Sequence, residues 1–429
     1  MNEENSVTQN LSPLCNYTNG SWVYDPKGKV TRYDSTCKEI FKGWNCISSN
    51  KSNARDISNW LWKPNDCSLP QFDPVQFLQR FRNTNIGFVG DSLNRNMFVS
   101  LVCTLKRVSK EVKKWRPAGA DRGFTFRRHN LTVAYHRTNL LAHYGRWSAS
   151  VNGGVLEGLG YKDGFRVDLD IPEGTWAEAP SFHDVLILNT GHWWWAPSKF
   201  DPIKSPMLFF EKGLPVIPPI KPEIGLDIVL KNMAEEDRDY AEEDRDYADE
   251  IILWDNKGED DDKLAISANR RKQEENDEDA EDDDEDEEVE EKIDVLASSI
   301  WIFYVNRRMR PAGIRIFRTQ SPRHFEGGDW DQGGSCQRVQ PLLPEQVNRF
   351  FSLERNGTNA ETRLANQHMY KVLEGSNFHI LDVSHMSEFR ADAHPSTAGG
   401  KKHSDCMHWC LPGITDTWND LLVAYLNDT

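Results

Sequence analysis

No two cysteines in this 429-residue chain are spaced as Cys-X-X-Cys, and no run of apolar residues approaches eighteen. The first absence argues against a zinc ribbon or finger, whose ligands usually come in such pairs. The second excludes a membrane-spanning helix within the sequence as given. The opening Met-Asn-Glu-Glu carries neither a basic segment nor an apolar core of the kind that begins a secretory signal. Acidic residues are abundant, yet no Gly-punctuated ligand loop resembling an EF-hand is present among them, which argues against calcium sequestration.

What is present points to an oxidising compartment. Eight cysteines, Cys15, Cys37, Cys46, Cys67, Cys103, Cys336, Cys406 and Cys410, are even in number and gathered toward the two ends of the chain. Disulfides are the better reading, although eight cysteines allow about 105 pairings. Glycosylation sequons begin at Asn10, Asn16, Asn19, Asn50, Asn130, Asn356 and Asn427 and agree with that compartment. A signal or anchor is therefore expected ahead of the present start. Fifteen Trp, several in clusters such as Trp60-Leu-Trp62 and Trp193-Trp-Trp195, suit core packing first and stacking on sugar rings second.

The net charge of −16 is unevenly held. Between Ala234 and Lys292 stand 30 Asp or Glu against 8 Lys or Arg, a net of −22, so the remainder carries −16 + 22 = +6. The body is mildly basic, as would suit an anionic donor or a weakly acidic polymer. The segment 234–292 repeats Ala-Glu-Glu-Asp-Arg-Asp-Tyr and cannot bury enough apolar surface to offset chain entropy; it reads as a disordered insertion. After a short tail, 1–14, residues 15–72 form a Cys- and Trp-rich, loop-rich module. Residues 73–233 and 293–429 alternate short apolar strands (86–89, 185–188, 314–317, 378–382) with helical patterns, predicting an α/β sheet with crossover helices.

The stretch Ile86-Gly-Phe-Val-Gly-Asp-Ser-Leu-Asn-Arg-Asn-Met97 places Ser92 at a strand-to-helix turn. There a hydroxyl is presented at the carboxyl edge of a sheet, and free helix N–H groups can hold an oxyanion. A Ser before a helix is equally a cap. A nucleophilic Ser needs a base and the base an orienter. Asp405-Cys-Met-His408 supplies both on one turn, flanked by Cys406 and Cys410 that would pin it. Asp392-Ala-His394 and His403 compete for the role, and spacing leaves the choice open.

Four segments together resolve it by resemblance: Gly90-Asp-Ser-Leu-Asn-Arg-Asn96, Asn189-Thr-Gly-His-Trp-Trp194, Ser321-Pro-Arg-His-Phe-Glu-Gly-Gly-Asp-Trp330 and Asp405-Cys-Met-His-Trp-Cys-Leu-Pro-Gly-Ile-Thr-Asp-Thr-Trp418. They closely resemble the plant trichome birefringence-like family, whose members are similar in fold to SGNH/GDSL esterases and act as polysaccharide O-acetyltransferases in the Golgi lumen. The resemblance implies an SGNH-like α/β sheet flanked by helices, with the disulfide-rich front module packed on it. It implies a triad of Ser92 as nucleophile, His408 as base and Asp405 as orienter. The bridges it implies are Cys15–Cys67, Cys37–Cys103, Cys46–Cys410 and Cys336–Cys406.

The reaction so implied is double displacement through an acetyl-Ser92 intermediate, with no metal and no bound cofactor. The acceptor is a wall polysaccharide (xylan, mannan, xyloglucan or pectin), the donor a molecule such as acetyl-CoA, and no nucleic acid takes part. The Ser92 N–H, and by analogy the Asn189 side chain, would hold the oxyanion; Arg95, His192, Trp193 and His324 are the candidates for contact with substrate. An esterase of the same esters and a non-catalytic wall-polymer binding protein are the alternatives. Two departures stand out, the missing N-terminal signal anchor and the acidic insertion. Localisation in the Golgi lumen through a type II anchor, or secretion, is thus an expectation from the family and the cysteines.

Overall fold

A computed structural model describes residues 15–28, 32–196, 199–234, 304–354 and 359–428. The tail 1–14 and nearly all of the acidic insertion lie outside the described residues. The strands are β1 (Gly20–Tyr24), β2 (Trp60–Pro64), β3 (Asn85–Gly90), β4 (Val112–Trp115), β5 (Arg122–Phe126), β6 (Leu131–Arg137) and β7 (Ala142–Ser148), followed by β8 (Asp163–Pro172), β9 (Val185–Leu188), β10 (Met207–Glu211), β11 (Leu214–Pro215), β12 (Ile314–Arg318) and β13 (His379–Leu381).

Seven of them form the main sheet in the order β13-β12-β9-β3-β6-β5-β4. β13, β12, β9, β3 and β6 are parallel, and β6, β5 and β4 continue as an antiparallel edge. β3 and β9 read as unbroken apolar runs because helices cover both faces of a parallel sheet; every residue of β9 is buried. All four strands expected from the sequence are present, the last trimmed to His379–Leu381. A second sheet, β11-β10-β8-β7, stands beside the first, and β1 pairs with β2 in the N-terminal module.

Strand order runs outward from β3 in both directions, toward β6 on one side and β9 on the other. At such a reversal the crevice beyond the carboxyl ends of the strands is left open for a ligand. Helix α1 (Pro74–Arg80) leads into β3, which delivers the chain to that crevice, and helix α2 (Ser92–Val108) carries it away. Leu93, Met97, Leu101 and Leu105 recur along α2 at the spacing of one helix face, and all are buried. The C-terminal helix Ile414–Asp428 crosses α2, with Asn419 Nδ2 donating to Met97 O (3.3 Å) and Ser100 Oγ (3.0 Å). No helix among the described residues is long and apolar enough to cross a membrane.

The front module does not make a core of its own. Its Trp44, Ile57 and Trp62 join one cluster with Leu93, Met97, Trp409 and Trp418 of the sheet domain. The structure pairs Cys15 with Cys67 inside the module, while Cys37–Cys103 ties it to α2 and Cys46–Cys410, bridging 364 residues, ties it to the C-terminal region. Arg390 completes the seam: it forks onto Asp392 (2.9 and 3.0 Å), donates to Ile57 O (2.8 Å) and lies over the Trp22 ring. Both charged side chains are buried. Arg390→Ala leaves the Asp392 carboxylate without its partner, so a loss of about 3–5 kcal/mol is expected, read as a lower denaturant midpoint. A shift below about 1 kcal/mol would show that the pair is dispensable.

Candidate active site

Gly90 has φ +152°, and a Cβ there would meet Asn189 O at 2.4 Å, so only glycine allows the close approach of β3 and β9 just before the turn. Tyr135 Oη donates to the Gly90 and Asp91 carbonyls (3.1 and 3.0 Å), fixing the backbone that leads into Ser92. Asp91, not Ser92, is the N-cap of α2: its Oδ1 accepts from Leu93 N at 2.9 Å. The Ser92 hydroxyl is thus left to donate to His408 Nε2, at 2.7 Å.

The other ring nitrogen of His408, Nδ1, donates to Asp405 at 2.9 Å (Oδ1) and 3.0 Å (Oδ2). A carboxylate only accepts, so the proton sits on Nδ1 and Nε2 has a lone pair aimed at Ser92. Asp405 also accepts from His408 N (3.0 Å) and from Lys401 Nζ. Burial raises its pKa, but the His408 ring and the Lys401 ammonium together outweigh burial and hold the carboxyl well below the usual carboxylate range.

Four features clamp this turn. Cys406 is bonded to Cys336 and Cys410 to Cys46. Asn96, one turn along α2 from Ser92, accepts from Trp409 N (2.8 Å) and donates to Trp409 O (3.3 Å). Finally, Trp44 of the front module lies with its ring centroid 5.1 Å from that of His408 and accepts through its carbonyl from Leu411 N (2.9 Å). Trp44, Asn96 and Lys401 were not singled out in the sequence. The nearest signal for Trp44 was its place two residues before Cys46.

The remaining expected residues are distributed unevenly. Arg95 lies three residues after Ser92, on the same helix face; its guanidinium sits 5.5 Å above the Trp44 ring, and its Nε is buried with no hydrogen-bond partner. Burial, then the charge of Arg122, lowers its pKa from the usual arginine range. His192 begins a short 3-10 turn, 192–195, and its buried Nε2 has no partner either. Burial, then Arg323 and His408, puts its pKa well below the ordinary imidazole range, so it stands neutral near His408. Trp193 is half-buried under Lys199, while Trp194 is core and stacks on Phe209.

Asn189 is fully buried, and its Nδ2 donates to Gln320 Oε1 (3.1 Å), a bond it would have to give up to meet an oxyanion. His324 is a correction. It does not border the cleft but is 0% exposed beneath the Asp405–His408 turn, because Trp409 and Phe351 close over its ring. The competing bases separate as well: Asp392 is taken by Arg390, His394 faces His324, and His403 is exposed beside Trp330.

Residues 69–247 and 267–425 match the PC-Esterase family, described as a GDSL/SGNH-like acyl-esterase family found in Pmr5 and Cas1p, and residues 13–68 match the PMR5 N terminal domain. The chain is 58% identical to trichome birefringence-like 13 of Arabidopsis thaliana over 97% of its own length and 85% of that protein. It belongs to the trichome birefringence-like branch of the PC-esterase family. Within that family it is also 36% identical to trichome birefringence-like 12 of Arabidopsis (98% of this chain, 88% of that one). It is 27% identical to xyloglucan O-acetyltransferase 2 of the same plant, over 98% and 84% of the two chains.

Proposed function

We propose that this trichome birefringence-like protein transfers acetyl groups onto hydroxyls of a plant cell-wall polysaccharide through an acetyl-Ser92 intermediate. The observation that carries the reading is the continuous relay from Ser92 Oγ through His408 to Asp405. In the first half, Nε2 takes the hydroxyl proton as Oγ attacks the acetyl carbonyl; the oxyanion collapses and the donor's leaving group departs with that proton. In the second half, His408 takes a proton from a sugar hydroxyl, whose oxygen attacks the acetyl carbon. The acetyl–Oγ bond breaks, and the proton returns to Ser92.

Asp405 holds the tautomer and stabilises the imidazolium in both halves. The oxyanion is met by the Ser92 N–H at the start of α2, and Arg95, one turn on, adds positive charge beside it. The likeness to xyloglucan O-acetyltransferase 2 makes xyloglucan the first acceptor to try, and an acetyl thioester such as acetyl-CoA the first donor. The four disulfides suit an oxidising lumen, consistent with the Golgi reading.

The test uses secreted, disulfide-intact protein with a labelled acetyl donor and xyloglucan, xylan, mannan and pectin oligosaccharides. Mass spectrometry should find acetyl on the Ser92 peptide and on one class of sugar. Free acetate from pre-acetylated glycans, with no acetyl-sugar, would make the enzyme an esterase, in which water takes the place of the sugar.

A further inference from the structure

Beneath the catalytic turn, two fully buried imidazoles face each other, His324 Nδ1 and His394 Nε2 being 2.7 Å apart. Their outer nitrogens each face a backbone carbonyl: His324 Nε2 lies 2.8 Å from Glu388 O, and His394 Nδ1 lies 2.7 Å from His408 O. A carbonyl cannot donate, so both outer nitrogens carry hydrogen. The contact between the inner nitrogens needs one hydrogen more. Three protons are required, and two neutral imidazoles bring two.

We propose that His324 and His394 share one extra proton, and that this proton locks the turn carrying His408 in its working position. The placement of His408 as base is taken from the function proposed above; the proton count is independent of it. Without the shared proton, two lone pairs would meet at 2.7 Å, and the pair would separate or abandon one carbonyl.

The turn is held by this pair at several points. His324 N donates to Cys406 O (3.0 Å), His394 reaches the backbone of His408 itself, and Cys410 N donates to Ala393 O (2.9 Å). The His394 ring stacks on Trp409 with centroids 4.1 Å apart, while His324 meets the same indole edge-on. Losing any of these contacts moves the residue whose imidazole must stay 2.7 Å from Ser92.

The charged groups around the pair are mixed. Glu388, Asp392, Glu326 and Asp405 favour the proton, each already matched to a cation: Arg363, Arg390, Arg338 and Lys401. Lys51, which donates to Asp392 O, opposes it, as does His408 when protonated, and Phe350 and Phe351 bring no charge. Burial lowers both rings, His324 to about 4 and His394 well below the ordinary imidazole range, and so opposes the shared proton. The three hydrogen bonds and the four carboxylates are what retain it. Raising the pH removes it.

Neutron diffraction from crystals of the native protein, exchanged into deuterium at the pH of maximal activity, counts the protons directly. Three on the four nitrogens are expected; two in the same arrangement would overturn the proposal, whether or not the protein transfers acetyl. The second measurement is the pH profile. Native kcat should fall on the alkaline side by about 10²-fold with KM little changed, the usual cost of displacing a catalytic group by about 1 Å. In His324→Asn an amide nitrogen takes the place of Nδ1 and donates to a neutral His394, so that alkaline fall should vanish. A native-like fall in that variant would also overturn the proposal.

Discussion

Ser92→Ala is expected to lower kcat on the order of 10⁶-fold and to abolish acetyl labelling of the active-site peptide, while the protein remains folded and secreted. Asp91 is the reason the fold survives. It supplies the N-cap of α2, so Ser92 can be replaced without the loss of about 1 kcal/mol that removing a cap brings. The Ser92 hydroxyl has its bond to His408 instead, and methyl replaces it without leaving a buried charge. The checks are mass spectrometry of the peptide spanning Gly90–Asn96 and a thermal unfolding curve. A variant that still labels at that peptide, or one that is no longer secreted, would remove Ser92 from the role of nucleophile.

Asp405→Asn is expected to leave substrate binding intact and to cost on the order of 10⁴-fold in kcat, by analogy with the serine proteases. The amide presents an N–H where the carboxylate accepted. Nδ1 must then accept, the ring proton moves to Nε2, and Nε2 can no longer take the Ser92 proton. A loss of less than tenfold would show that Asn96, Trp44 and the two disulfides orient His408 without the carboxylate.

The same variant gives a stability test with a definite sign. The Asp405 carboxyl is lower in the folded protein than in the unfolded chain, where it titrates near 3.9. Its contribution to stability is therefore fully present above about pH 4 and is lost as pH falls through the lower folded value. Unfolding free energies of native and variant protein, measured across that range, should differ by a constant amount above about pH 4 and converge below it. A difference that grows as the pH falls would reverse the assignment.

The chemistry proposed for the site was legible because nucleophile, base and orienter must each be a particular residue type. Asp and His three apart can meet within one turn, and a strand-Gly-Asp-Ser-helix order has few structural solutions. The rest was hidden by distance along the chain. Trp44 reaches His408 only because Cys46 is bonded to Cys410, and the sequence leaves that pairing open among many. His324 looked like a cleft residue beside a loop motif, yet it lies under Trp409, where burial and a second imidazole give it a different task.

What the sequence by itself determined are the properties that local chemistry enforces: the apolar parallel strands, the turn at Gly90, the Asp405–His408 turn and an even count of eight cysteines suited to disulfides. Only the tertiary structure decided which groups complete the site. Asn96 and Trp44 clamped the histidine turn, and two buried imidazoles came within 2.7 Å of each other. These contacts join residues tens to hundreds of positions apart. No pattern of neighbouring side chains encodes them, because close packing of the whole core sets which side chains meet.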